Sequence, residues 1–196
     1  MDVTVRRGYA PGSRDLAAHL RAIRDSNAEA FIGITYPDES LLATRQAREI
    51  GFAPKFFYTA VGTCFPWFRE QLGSAAEGVL GMGSWNAKSN PAAKAFFDAH
   101  VKRFGQEPDR WAAGHAYAGL QILADSVQSQ GLDRRALRAW IAGREFQTIL
   151  GPVRFTAGEN VATPGALGQW QGREFEIVWP PARATAKLAF PQASRA

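Results

Sequence analysis

Apolar and polar positions in the first part of the chain switch repeatedly between a period of two and the wider spacing of a helix. Residues 3–7 alternate, with Val3 and Val5 on one side, which predicts a strand. After the turn Ala10-Pro11-Gly12-Ser13, Leu16, Leu20 and Ile23 fall at i, i+4 and i+7, the spacing of a helix packing one face on a sheet. Residues 30–34 form a short apolar strand after a turn at Asn27. Tyr36-Pro37-Asp38 breaks it; Asp38 is the expected N-cap of a helix over 39–50, and Gly51 stands where a left-handed cap is wanted. Lys55-Phe56-Phe57-Tyr58 is the next strand. A small-residue loop, Thr59-Ala60-Val61-Gly62-Thr63, follows it, then an amphipathic run over 65–72 and an apolar run over 79–85. This alternation predicts an α/β fold: a parallel sheet with flanking helices and right-handed crossovers.

The pattern changes after Trp85. Asn90-Pro91 joins a capping side chain to a proline at the first helical position, and Phe97, Val101 and Phe104 give that helix its apolar face before Gly105. Pro108-Asp109 opens a helix over 110–129 that is apolar on more than one face, which predicts burial between other elements. Asp133 caps a helix whose face is Leu137, Trp140 and Ile141. Helices in succession without a strand mark a new packing environment near residue 86. Phe146, Thr148 and Leu150 then alternate, Gly151-Pro152 interrupts, and Val153 and Phe155 resume. Strands over 166–171 and 174–179 meet at Gly172 in a hairpin. The expected organisation is 1–84, 85–150, 151–180 and an irregular tail over 181–196.

Composition narrows the function classes. Apolar residues make up 46% and charged residues 21%, ordinary values for a globular protein. No apolar run is long enough to span a bilayer, and residues 1–8 carry no apolar core of a signal peptide. The net charge of +5 is spread out; Arg134, Arg135 and Arg138 read as a solvated helix face, so no nucleic-acid partner is expected. One cysteine, Cys64, excludes an intrachain disulfide and reads as a buried inert thiol. His19, His100 and His115 fall on separate helices, Gly78, Gly81 and Gly83 form no phosphate-binding fingerprint, and Asp38-Glu39 reads as a helix start. No catalytic residues, metal ligands or cofactor are therefore expected, and no enzyme activity.

Binding chemistry collects where the parallel strands end, the usual ligand edge of such sheets. Tyr36 directly follows a strand, so it either projects at that edge or packs on the helix start. The loop from Thr59 through Ala60 to Thr63 offers amides and hydroxyls among small residues, unless it is a plain tight turn. Trp85 either stacks on a ligand or covers a hinge, and Trp111 reads as core.

With these residues in view the chain resembles the periplasmic substrate-binding proteins of branched-chain amino acid ABC transporters, of the type I periplasmic binding fold. The matching stretches are Tyr9-Ala10-Pro11-Gly12-Ser13-Arg14-Asp15, Tyr36-Pro37-Asp38, Arg45-Gln46-Ala47-Arg48, Ala76-Glu77-Gly78-Val79, Asn90-Pro91-Ala92, Glu107-Pro108-Asp109, Ala116-Tyr117 and Thr148-Ile149-Leu150-Gly151-Pro152-Val153-Arg154-Phe155. The resemblance implies a second lobe, up to about residue 84, and part of a first lobe reached again over 86–150, with a crossing back from Gly151. It also implies an N-terminally truncated chain, a periplasmic location for the family, an ABC permease as partner, and Tyr36 as a pocket residue. Family members that bind amino acids carry an acid in the loop where this chain has Ala60. No acid stands between Lys55 and Arg69, so an apolar or aromatic solute or an amide fits better than a standard α-amino acid. The alternative use of the same fold is a ligand-sensing domain of a receptor or amide-responsive regulator.

Overall fold

The computed structural model describes residues 2–163 and 165–191, so the end of the expected irregular tail, 192–196, lies outside them. The elements in chain order are α1 (Ala17–Asp25), β1 (Ala30–Gly33), α2 (Pro37–Glu49), β2 (Phe56–Thr59), α3 (Pro66–Leu72) and β3 (Leu80–Gly83). They continue with α4 (Pro91–Phe104), α5 (Ala112–Gln130), α6 (Arg134–Ala142), β4 (Glu145–Thr148), β5 (Gly151–Thr156), β6 (Glu159–Asn160), β7 (Ala166–Gln171) and β8 (Glu174–Trp179). Contacts divide the chain into one unit made of the residues up to Gly83 and those from Leu167 onward, and another over Ser84–Ala166.

The first unit is built on a sheet of order β1-β2-β3-β7-β8. β1, β2 and β3 are parallel, with Ala30 opposite Phe56, Gly33 opposite Thr59 and Tyr58 opposite Leu80. Apolar side chains at alternate positions of β1 and β2 face one way. Phe31 and Phe57 stack with ring centroids 4.8 Å apart, and Phe52 adds an edge 6.3 Å from Phe57. Phe57 is fully buried, a gain of about 1.5–3 kcal/mol for such a ring. The β7–β8 hairpin is antiparallel. Gly168 is needed there because a Cβ would stand 2.1 Å from a Phe175 ring carbon.

Two local expectations change. Residues 3–7 pair with no strand among the described residues, and Val3 is 74% exposed, because no neighbour lies beside them to complete a ladder. α2 begins at Pro37 with Tyr36 as its N-cap, so Asp38 sits inside the first turn. Proline's fixed φ suits the first helical position, and the carboxylates of Asp38 and Glu39 then face the positive end of the helix dipole.

In the second unit, β4, β5 and β6 form an antiparallel sheet. α4 is capped by Asn90, whose Oδ1 accepts from the Ala93 N–H at 2.8 Å while its Nδ2 donates to Ile149 O at 3.0 Å. α6 is capped by Asp133 through the Ala136 N–H. α5 buries a single stripe, Gly114, Ala118, Ile122 and Ser126, spaced four apart; Tyr117, Leu120 and Leu123 on its other side are exposed, against the expectation of all-round burial. The chain rejoins the first unit at Leu167, later than the expected Gly151, because β5 pairs back on β4 from Glu145–Arg154 to Thr148–Gly151. Among the described residues no helix is long and apolar enough to cross a membrane.

Candidate ligand-binding edge

At the carboxyl ends of β1 and β2 the backbone is held by short side chains that reach across the sheet. Thr35 Oγ1 lies 2.7 Å from Ser40 Oγ and accepts from the Ala60 N–H at 3.3 Å, while Ser40 Oγ donates to Tyr36 O at 2.9 Å. The start of α2 and the loop after β2 are thereby tied together. Gly62 sits where a Cβ would come within 2.5 Å of Pro37 Cα, so that loop rests directly on the first turn of α2. The short 3-10 turn Gly62–Cys64 follows.

Tyr36 is 68% exposed at this edge. The loop's threonines have another use. Thr59 and Thr63 are fully buried, their hydroxyl oxygens 2.6 Å apart, and Thr63 Oγ1 donates to Thr59 O at 2.5 Å. Both hydroxyls are spent inside the fold, so they shape the loop and do not present polar groups to a solute. Ala60 is also buried: its N–H donates to Gly33 O and its carbonyl accepts the Met82 N–H, each at 3.1 Å. The small side chain lets the loop lie flat against the strand ends.

Trp85 belongs to the core of the second unit. It is fully buried with Ala93, Ala118, Ile149 and Leu150, and the missing Cβ of Gly114 would lie 2.5 Å from its Nε1. Ligand stacking by Trp85 is therefore replaced by core packing: the helix α5 approaches too closely to leave a free ring face. Trp111 is the residue before α5, half-buried, with its ring centroid 6.0 Å from His115.

Two residues at the edge escaped the sequence reading. The Tyr9 hydroxyl donates to Ile34 O at 3.1 Å, and burial, reinforced by the charges of Glu39 and Tyr36, holds its pKa above the ordinary value. Glu39 is 6% exposed and accepts the Gly12 N–H at 2.8 Å. The turn Ala10-Pro11-Gly12-Ser13 was the available signal, because it brings the chain back over the start of α2. Cys64 is buried, its Sγ 3.3 Å from Val61 O. Among the described residues, no group of three or more His, Cys, Asp or Glu is placed to hold a metal ion.

A parallel-led α/β unit with an aromatic residue and a tight, small-residue loop at its strand ends defines a binding scaffold. The family model described as Periplasmic binding protein matches residues 1–174, and the chain belongs to that family. Leu/Ile/Val-binding protein homolog 7 of Brucella suis biovar 1 (strain 1330) is 20% identical over 98% of this chain and 51% of its own length. The branched-chain amino acid transporter substrate-binding protein LivJ of Streptococcus pneumoniae, solved with isoleucine, superposes with a TM-score of 0.75 at 19% identity, over 93% of this chain and 51% of that one. A solute-binding protein of an R. palustris ABC transporter, solved with benzoate, gives 0.74 at 17% identity over 91% and 50%. The fold is that of these binding proteins, and the chain spans about half the length of the curated relatives it matches.

Proposed function

We propose that the chain supplies one wall of the solute cleft in the extracytoplasmic binding component of an ABC importer, which delivers amino acids or related small polar or aromatic solutes to a permease. The observation that carries this reading is Tyr36, exposed at the ends of parallel strands beside a loop anchored from below. The isoleucine and benzoate complexes of relatives support a small carboxylate-bearing solute.

The edge also speaks to selectivity. No acid lies between Lys55 and Arg69, and the buried Glu39 carboxylate already accepts the Gly12 N–H. An ammonium facing the loop after β2 would go unpaired there, at a cost of several kcal/mol in a closed site. An aromatic acid or an amide is the better match.

The test is backbone NMR of the 196-residue chain titrated with isoleucine, benzoate and benzamide. One wall of a cleft offers limited contact against the entropy of association, so binding is expected on the order of 1 mM. Shifts should centre on Tyr36 and the amides of Val61 and Gly62 and be larger for benzoate or benzamide than for isoleucine. If those amides stay still with all three solutes, the reading fails.

A further inference from the structure

Helix α6 carries positive charge where a helix least favours it. Arg134 and Arg135 open its first turn, at the end where the backbone dipole is already positive. Arg138 lies four residues from one and three from the other, so it sets a like charge beside both. Asp133 is the only acid over 131–144, and its carboxylate caps the helix by accepting the Ala136 N–H at 2.7 Å. All three arginines are exposed. Among the described residues, none of their side chains has a hydrogen-bonding or ion-pair partner.

The rest of the helix holds these charges outward. Successive residues turn by about 100°, so Arg134, Arg138 and Arg135 share an arc of about 100°. On the other side Trp140 and Ile141 pack against Ile122, Phe146 and Val153, which pins α6 by its apolar face. In the turn from α5 to α6, just before the cap, Leu132 is 82% exposed, the highest value of any large apolar side chain among the described residues. An apolar tip thus stands beside three unpaired guanidinium groups.

The chemistry of this surface selects its partner. A fitted protein interface buries about 800 Å² per partner around an apolar centre. Here the helix is nine residues, about 14 Å, long, and its arginine side is convex with no large apolar residue on it. A nucleic-acid strand would want aromatic side chains among the arginines for base stacking, and that side of α6 has none. A bilayer with anionic headgroups asks for neither. It is planar, its charges can gather under each arginine, and a single leucine can enter between the headgroups.

We propose that the arginine side of α6, with Leu132 at its tip, docks this chain on an anionic lipid surface. The apolar side of α6 stays packed in the second unit, so the contact is peripheral: arginines at the headgroups and one leucine side chain beneath them. Such docking suits a binding component that works beside a permease, but it does not depend on solute binding. Tyr36 and the loop after β2 take no part in it.

The test is co-sedimentation of the 196-residue chain with vesicles of phosphatidylcholine, alone or with about one-third phosphatidylglycerol, at about 0.1 M salt. Binding is expected to the anionic vesicles only, and should vanish at about 1 M salt, where the Debye length falls to about 3 Å. Each arginine near such a surface is worth about fivefold, so combining Arg134→Gln, Arg135→Gln and Arg138→Gln should weaken binding about 100-fold. That variant relieves the repulsion within α6 and should melt no lower than the parent, which separates lost binding from unfolding. Combining Arg6→Gln, Arg7→Gln and Arg14→Gln removes the same charge from exposed positions of the first unit and should keep most of the binding. Leu132→Ser should cost about fivefold on vesicles and nothing on soluble polyglutamate. Equal losses in the two triple variants would mean that net charge alone acts, and would overturn the proposal. So would binding to neutral vesicles, no binding to anionic ones, or tighter binding to polyglutamate than to anionic lipid, which would point to an acidic protein instead. The sedimentation readout is separate from the solute shifts at Tyr36 and Val61, so either reading can fail alone.

Discussion

Trp170 donates its indole N–H to the main-chain carbonyl of Thr63 at 2.7 Å, a buried bond between residues 107 apart in sequence. It joins the returning hairpin β7–β8 to the loop after β2. The same loop is fixed from the other side by Pro37 against Gly62 and by Thr35 against Ala60. Its shape is therefore set by three parts of the chain, which makes the edge a preformed surface.

Trp170→Phe should keep the ring and remove the donor. The Thr63 carbonyl would lose a buried partner, which costs about 1–3 kcal/mol. Urea denaturation should register that loss, and the Val61 and Gly62 amides should shift while those of α5 do not. An unchanged stability would mean that Thr63 finds another donor.

Gly81→Ala tests the packing beneath the loop. A Cβ there would stand 2.3 Å from Thr63 Cβ, backed by β3 on one side and the 3-10 turn on the other. Overpacking of this kind costs about 1–3 kcal/mol. The companion change Thr63→Ser removes the opposing methyl and keeps the hydroxyl, so the double variant should recover part of the loss in a thermal melt.

The order of elements was readable because periodicity reports which face is buried. Leu16 and Leu20 announced α1, the Phe56-Phe57 run announced β2, and Gly172 marked the hairpin. What stayed hidden depended on contacts distant in sequence. The hydroxyls of Thr59 and Thr63 look free in the sequence and are consumed by each other in the fold. Trp85 follows a strand, as a ligand contact should, but Gly114 brings α5 within touching distance of its ring. Residues 3–7 have strand periodicity without a paired neighbour, because alternation records a preference for pairing and cannot supply the partner. Glu39 seemed a helix-start carboxylate and is one, but its tie to Gly12 needs the turn that folds residues 9–13 back over α2.

Alkaline pH should destabilise the first unit. Tyr9 and Tyr58 both have pKa values raised above the ordinary 10.0, chiefly by burial, with the charges of Glu39 and Tyr36 acting on Tyr9 and that of Cys64 on Tyr58. The folded chain thus holds these protons to higher pH than the unfolded chain. Their contribution is fully present below pH 10.0 and is lost as pH rises through the raised folded values. Melting temperature followed from pH 8 to pH 11 (about neutral-to-alkaline limits set by the tyrosine range) should fall in step with tyrosinate absorbance. Tyr58→Phe should make that fall shallower.

Arg110 separates packing from charge in the second unit. Its side chain is almost fully buried, donating to Pro108 O and to Glu107 Oε2, with the guanidinium 5.7 Å from the Trp85 ring and 5.1 Å from that of Phe97. Glu107 is partly exposed and can return to water if its partner goes, so the ion pair itself contributes little. Arg110→Ala removes the stem that fills the space between two aromatic rings and should cost about 2–4 kcal/mol through the cavity it leaves. Arg110→Met keeps most of that volume without a buried charge, and replacing a buried ion by an apolar side chain is often close to neutral. Met should therefore recover more than half of the alanine loss in chemical denaturation. If Met is as damaging as Ala, the bonds to Pro108 and Glu107 hold this corner together and packing is secondary.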